Sequence, residues 1–349
     1  MGIESVKVTI HDVAKRADVS IKTVSRVINN EPSVRAATQK KVLEAVEALN
    51  YRPNAAARNL AGTHSYAIAY IYDNPNAYYV IDMQNGILSA SKEKGYELLI
   101  HPCNAKSVDI CDEIKHVVER SRAAGIVLTP PFSEMPTVLK TLEQLNVQFV
   151  RILSGGEQAR EDSLSVFIND RQAAHSLTQY LIDLGHRDIA FLCGAVEHNS
   201  STERLLGYQT ALKDNKIPIN KRFVLDGEYS FESGVNGAKR LMGAGTRPTA
   251  ILAANDEIAA GALFASRLMG VAVPEELSIA GFEDSPFSRQ TWPRLTTAHQ
   301  SNRAIAEHAT ALLLSSIRQR ETGPRRSLGK NIFNPELVIR ESTGPVTAN

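Results

Sequence analysis

The chain is 349 residues long, 43% hydrophobic and 22% charged, a globular composition with length for two or three domains. No apolar run is long enough to span a membrane and no signal-peptide core stands near the start, which excludes membrane classes and predicts a cytoplasmic protein. Net charge is only +1, but residues 1–61 hold ten Lys or Arg against six Asp or Glu, so this stretch is net +4 and the remainder net −3; a basic head on a mildly acidic body suits a nucleic-acid-reading module joined to a second function.

The first elements fall within residues 9–49. Thr9 is a good N-cap, and Asp12 stands three residues later, where an acid faces first-turn amides. Val13, Ala14 and Ala17 share one helical face. The chain turns at Asp18-Val19, and Ser20 caps a second short helix that buries Val24, Val27 and Ile28 and leaves Ile21, Lys22, Ser25, Arg26 and Asn29 outside. Two helices this short need a third to close the core. Residues 36–49 supply it, with Val42, Leu43, Val46 and Leu49 at helical spacing. A tight helical pair with a polar, basic-tipped second helix reads as a helix-turn-helix, whose second helix enters the DNA major groove. The bland alternative is a three-helix bundle with a solvated face. Thr9, Thr23, Ser25, Asn29 and Thr38 are candidate phosphate anchors, which position a head without reading sequence.

Asn-x-x-Pro-Asn at 50–54 ends the third helix, because the residue before a proline is pushed out of the helical region. Asn54 then caps a short Ala-rich helix, 55–61, too short to persist in water and expected to fold only on DNA. A plain linker would favour Gly or Ser over an apolar Leu60.

TVSRVIN at 23–29, LNYRPN at 49–54 and ARNLAG at 57–62 resemble the bacterial lactose/galactose-repressor (LacI-type) family, and the similarity runs to about residue 342. The resemblance implies that Ile21, Lys22 and Arg26 read bases. Arg reaches guanine O6 and N7, Lys reaches guanine acceptors, and Ile meets a thymine methyl. It also implies that Leu60 wedges into a minor-groove step, with Arg58 placed for backbone or groove contact. The family's usual turn Gly is Asp18 here, which tolerates a left-handed backbone less well than Gly.

From residue 65 the pattern changes. Apolar runs at 66–72, 96–101, 125–129, 148–153, 165–168, 188–193, 222–226, 250–253 and 277–282 read as strands. Helical stretches at 79–94, 110–120, 135–145, 171–184, 201–215, 231–242 and 256–268 fall between them. Such alternation predicts parallel sheets with helices on both faces, and the strand number predicts two lobes. YLIDLGHRDIAFLCG (180–194), ILAANDEIAAGAL (251–263) and VPEELSIAGFEDSP (273–286) carry the same resemblance, which implies a body like periplasmic sugar-binding proteins. The expected domains are a helix-turn-helix head at 1–49, a hinge at 50–63, a two-lobed body at 64–342 and a tail at 343–349. Lobe one takes 64–168 and 300–328, lobe two 169–299 and 329–342, with crossings near 165–170, 296–302 and 329. Gly185 ends a helix, and His186 reads as structural.

Ligands of open α/β sheets sit at the carboxyl ends of strands. Asp73, Arg151, Tyr229, Asn255 and Glu283 lie there, and Arg204 opens a helix just after a strand. The resemblance carries Arg204, Asn255 and Glu283 onto effector-binding positions, with Glu283 standing where the family usually has Asp. Asn255 donates and accepts, Arg204 offers a rigid fork, and Tyr79 and Tyr229 suit a sugar's apolar face. No phosphate loop, nucleophile elbow or zinc-protease motif is present. Cys103, Cys111 and Cys193 are widely spaced and expected to be reduced thiols. The expectation is a non-enzymatic repressor without cofactor or metal. Its partners are a palindromic operator, a small effector (a carbohydrate, with a purine corepressor as the alternative) and a second copy of the chain. The tail after residue 342 lacks a heptad, which argues for a dimer over a tetramer.

Overall fold

The computed structural model describes residues 8–28, 34–51, 65–74, 76–155, 164–243, 245, 247–322 and 331–346. The chain divides into two units at Tyr66 and Ala67, taken here separately. The expected hinge helix, with Asn54, Arg58 and Leu60, lies outside the described residues, as does Asn29.

In the first unit, helices Ile10–Ala17 (α1), Ile21–Ile28 (α2) and Ala36–Ala48 (α3) close on a small core of Val13, Ala14, Ala17, Val24, Val27, Val42 and Ala45. Asp12, in the first turn as expected, closes a capping box with Thr9. Its carboxylate turns back to accept from the Thr9 amide at 2.8 Å and the Thr9 hydroxyl at 2.7 Å, which anchors the chain where α1 begins. Asp18 sits between α1 and α2 at φ 53°, ψ 51°, the left-handed conformation that the family's Gly would adopt freely. The Ser20 hydroxyl accepts from the Thr23 amide at 3.1 Å, so Ser20 caps α2 as expected. Leu43 differs from expectation: it is 51% exposed, and Ala45 takes the inward position.

The second unit begins with a six-stranded, all-parallel sheet. It is built from Ala67–Tyr72 (β1), Glu97–Pro102 (β2), Gly125–Leu128 (β3), Gln148–Ser154 (β4), Ser165–Ile168 (β5) and a late strand, Asn331–Phe333, in the order late strand-β5-β4-β3-β1-β2. Ala77–Glu93 (α4) covers one face together with Asn302–Thr322. Ile110–Ser121 (α5) and Pro136–Gln144 (α6) cover the other. Burial on both faces explains why β1 and β3 read as unbroken apolar runs.

A second parallel sheet contains Ile189–Leu192 (β6), Val224–Leu225 (β7), Ala250–Ala253 (β8) and Ser278–Ala280 (β9), ordered β7-β6-β8-β9. Asp170–Asp183 (α7) and Asn199–Asp214 (α8) pack together as a pair, and Phe231–Met242 (α9) pairs with Asp256–Leu268 (α10). The latter pair approaches so closely that a Cβ on Gly234 would lie 2.0 Å from the Ile258 carbonyl, and one on Gly261 would lie 2.0 Å from that of Phe231. Only glycine permits that distance.

The chain continues through a short helix, Pro286–Gln290 (α11), to Thr297–His299 (β10). It returns to the first sheet as Asn302–Thr322 (α12) and Asn331–Phe333 (β11), and ends with Glu336–Val338 (β12), antiparallel to β10. β11 pairs with β5, so the last crossing falls after Phe333, later than the position near 329 expected from the sequence. No described helix is long and apolar enough to cross a membrane.

His186 sits at the amino end of β6, away from the strand ends that carry the pocket residues. Its Nδ1 meets Thr249 Oγ1 at 2.9 Å, and its Nε2 meets Ser278 Oγ at 3.0 Å. Burial lowers its pKa, in keeping with a structural neutral imidazole. Gly185, at φ 96°, ends the preceding helix in the left-handed region.

Candidate functional site

Most strands of the second unit lead into side chains that line one pocket. After β1 come Asn76 and Tyr79; β4 ends in Ser154; Asp170 follows β5. His198, Ser200 and Arg204 follow β6, Tyr229 follows β7, Asn255 follows β8, Glu283 follows β9 and Gln300 follows β10. Parallel sheets direct all these carboxyl ends toward the same side, which is why residues far apart in sequence converge.

Arg204, 3% exposed, is the centre. Its Nε donates to Asp170 at 2.7 Å and one Nη to the Ala254 carbonyl at 2.6 Å. The same Nη lies 3.4 Å from Glu283 Oε1, and the other Nη lies 3.4 Å from Gln300 Oε1. Its guanidinium carbon lies 3.8 Å from the centre of the Phe282 ring, a stacking geometry Lys would not reproduce. Burial opposes the charge of Arg204, yet Asp170, Tyr229 and Glu283 together raise its pKa. The Glu283 carboxyl is pushed up to about 7 by burial, which outweighs the pull of Arg204. Burial also raises Tyr79 and Tyr229 and lowers His198, leaving that imidazole neutral.

Among the polar contacts that join the lobes, two lie between side chains of the pocket. Asn76, which caps α4 by accepting from the Tyr78 and Tyr79 amides, donates Nδ2 to Glu283 Oε2 at 2.8 Å. Ser154 donates to Asp170 at 2.5 Å. Free space between these groups is about 40 Å³, room for about one water.

Glu283 and Asp284 both have positive φ, 100° and 57°, an uncommon pair for residues other than glycine. The Asp284 carboxylate braces them, accepting from Ser288 Oγ at 2.7 Å, His299 Nδ1 at 3.0 Å and an Arg340 Nη at 2.6 Å. Asp256 adds a bond from the Ser285 amide at 2.7 Å and one from the Thr297 hydroxyl at 2.6 Å. Asn255, fully buried, caps α10 through Oδ1, which accepts from the Ile258 amide at 2.9 Å. Its Nδ2 has no hydrogen-bond partner among the described residues.

Five of the seven pocket residues expected from sequence converge: Tyr79, Arg204, Tyr229, Asn255 and Glu283. Asp73 and Arg151 do not line the pocket. The Asp73 carboxylate turns to accept from the Ala105 amide at 2.8 Å, and Arg151 Nε donates to the Ser133 carbonyl at 2.6 Å. Asp73 directly follows β1, whereas Arg151 stands in the middle of β4, short of the strand end where the sequence placed it, and both side chains bond to loops of the first lobe. Asn76, Ser154, Asp170 and Gln300 went unnoticed in sequence. Asn76 and Asp170 follow strands directly, which is the signal that could have found them.

In the first unit, Ile21 and Lys22 are exposed at the start of α2, and Ser25 and Arg26 are half-exposed one turn on. Thr38 is half-exposed in the first turn of α3. The Thr9 hydroxyl is held by Asp12, and the Thr23 hydroxyl lies 2.8 Å from Ser20 Oγ. Among the described residues no cluster of three His, Cys, Asp or Glu is placed to hold a metal, and the three cysteines are free thiols.

A helix-turn-helix unit and a two-lobed body with a polar pocket at its strand ends define a ligand-responsive regulator class. The family model "Bacterial regulatory proteins, lacI family" matches residues 9–54, and "Periplasmic binding protein-like domain" matches 178–343. The chain is 32% identical to the HTH-type transcriptional repressor PurR of Vibrio parahaemolyticus, over 96% of this chain and 98% of that one. It is 32% identical to the probable HTH-type transcriptional repressor ExuR of Bacillus subtilis, over 97% and 99%. Among solved structures it resembles the Lac repressor dimer bound to operator and the anti-inducer ONPF (TM-score 0.76, 28% identity, 97% and 99% coverage). It also resembles a CelR–cellobiose complex (TM-score 0.72, 25% identity, 96% and 99% coverage). The chain belongs to the lacI family of bacterial regulatory proteins, and it is a DNA-binding transcriptional repressor rather than an enzyme.

Proposed function

We propose that the chain represses transcription from a palindromic operator as a homodimer, and that a carbohydrate in the pocket between the lobes resets its affinity for DNA. The observation that carries the ligand reading is the orphan donor of Asn255. A buried amide N–H without an acceptor is costly, and a ligand oxygen satisfies it beside Arg204 and Glu283. A sugar hydroxyl suits this place because it accepts from an amide and donates to a carboxylate at once. The tyrosines supply the apolar wall that sugar rings favour.

Ile21, Lys22 and Arg26 are the proposed base readers, and Ser25 and Thr38 the anchors best exposed to phosphate. Leu60 and Arg58, outside the described residues, are proposed to engage the minor groove. Tyr78, Ile81 and Leu88 on α4, and Phe231, Phe264, Leu268 and Met269 on α9, α10 and the residue after it, are exposed. Apolar side chains in this density suit a face between two copies.

A thermal-shift screen of mono- and disaccharides tests the reading. A ligand at about 100 times its Kd stabilises by about 2.7 kcal/mol; no response to any sugar would reject a carbohydrate effector. A purine corepressor is the second reading, supported by the likeness to PurR, and hypoxanthine belongs in the same screen.

A further inference from the structure

The charge balance of the pocket goes one step further than its polarity. Three charged side chains line it among the described residues: Asp170, Glu283 and Arg204. Asp170 is 1% exposed and Arg204 3%, so neither charge is relieved by water. The guanidinium is already engaged by Asp170, the Ala254 carbonyl, Glu283 and Gln300. His198 adds no cation, since burial keeps it neutral.

We infer that the pocket selects an uncharged polyol and turns away carboxylated or phosphorylated counterparts, because two carboxylates face a ligand for one guanidinium that they already share. This rests on the carbohydrate reading above. The donor–acceptor pattern agrees with the charge count. Asn255 Nδ2 supplies a donor without an acceptor, while the carboxylates of Asp170 and Glu283 supply acceptors. A hydroxyl complements both kinds of group. A ligand carboxylate or phosphate satisfies the amide but meets the acceptors with more lone pairs and like charge. Protonation of Glu283, whose carboxyl is pushed up to about 7, would leave Asp170 and Arg204 in balance, so the comparison is made at pH 8, where Glu283 carries its charge.

The test uses the full-length chain and matched probes: D-glucose, D-glucuronate and D-glucose 6-phosphate; D-galactose, D-galacturonate and D-galactose 6-phosphate; cellobiose and cellobionate; and hypoxanthine. Thermal shift ranks them and calorimetry gives Kd values. The expected result is binding of at least one neutral sugar, with its acid and phosphate counterparts weaker by about 100-fold or more. In Glu283→Gln the gap should narrow to about tenfold, because one like charge is gone while an acceptor oxygen remains. An acid or phosphate that binds as tightly as its neutral parent overturns the charge inference alone. Hypoxanthine as the only ligand overturns the carbohydrate reading. Silence from the whole panel overturns both, and the wild-type comparison stands even where Glu283→Gln fails to fold.

Discussion

Asn76 and Glu283 stand 207 positions apart in sequence and 2.8 Å apart in space, joined by an amide-to-carboxylate hydrogen bond between the two lobes. Hydrogen bonds to charged groups contribute about 1.5–3 kcal/mol, enough to bias a two-state arrangement tenfold or more. Asn76→Ser retains an oxygen to cap α4 but loses the reach to Glu283. The inter-lobe distance between spin labels at Val108→Cys and Val196→Cys, both exposed, is expected to broaden and lengthen in this variant. An unchanged distribution would remove the contact from any role in closure.

Asn255 does two jobs with one amide: Oδ1 caps α10 while Nδ2 faces the pocket. Asn255→Ser separates them. The cap survives, so thermal stability should drop by about 1 kcal/mol at most. Effector affinity should fall about tenfold or more, since the ligand loses a buried donor. Calorimetry and thermal unfolding together check the split; equal affinity in both proteins would show that the amide meets no ligand atom.

Burial pushes Asp256 up to about 8, and Glu134 and Glu283 up to about 7. An acid with a raised folded pKa keeps its proton in the folded chain after the unfolded chain has lost it. Stability therefore falls as pH rises from about 4 to about 8, by up to about 1.4 kcal/mol per pH unit per group. The melting temperature is expected to be higher near pH 6 than near pH 8. Asp256→Asn should flatten the slope by about one proton, and a slope unaltered by that substitution would contradict the assignment.

Asp18 carries a left-handed backbone at φ 53°. Asp18→Gly should relieve that strain and stabilise the head by about 0.5–1 kcal/mol, net of glycine's greater freedom when unfolded. Arg26→Ala should cost about 1–3 kcal/mol of discrimination between operator and scrambled duplex. Competition binding at fixed salt reads the second effect, and equal losses on both duplexes would make Arg26 a phosphate contact instead.

How far sequence reaches can be seen in these residues. The apolar runs of β1, β3 and β8 announced a buried parallel sheet, since a strand covered on both faces needs no polar side. Arg204, Asn255 and Glu283 were legible through short motifs near strand ends. Asp73 follows β1, but a strand end fixes where a side chain starts, not which way it turns, and its carboxylate meets the Ala105 amide; Arg151 was misplaced because β4 runs three residues beyond it, to Ser154. Gln300 was invisible because it is brought to Arg204 by a crossing between lobes, and the contact of Asn76 with Glu283 spans two lobes that no local pattern links. The late strand β11 escaped notice because three residues carry too short a pattern to count.

The central claim is that occupancy of the pocket resets affinity for DNA. Fluorescence anisotropy of the full-length chain on a palindrome from its own genome, with and without the sugar that stabilises it most, measures that coupling. The account predicts that Kd for the palindrome changes about fivefold to 150-fold while scrambled DNA is little affected. Identical titrations in the presence and absence of a saturating sugar would contradict it.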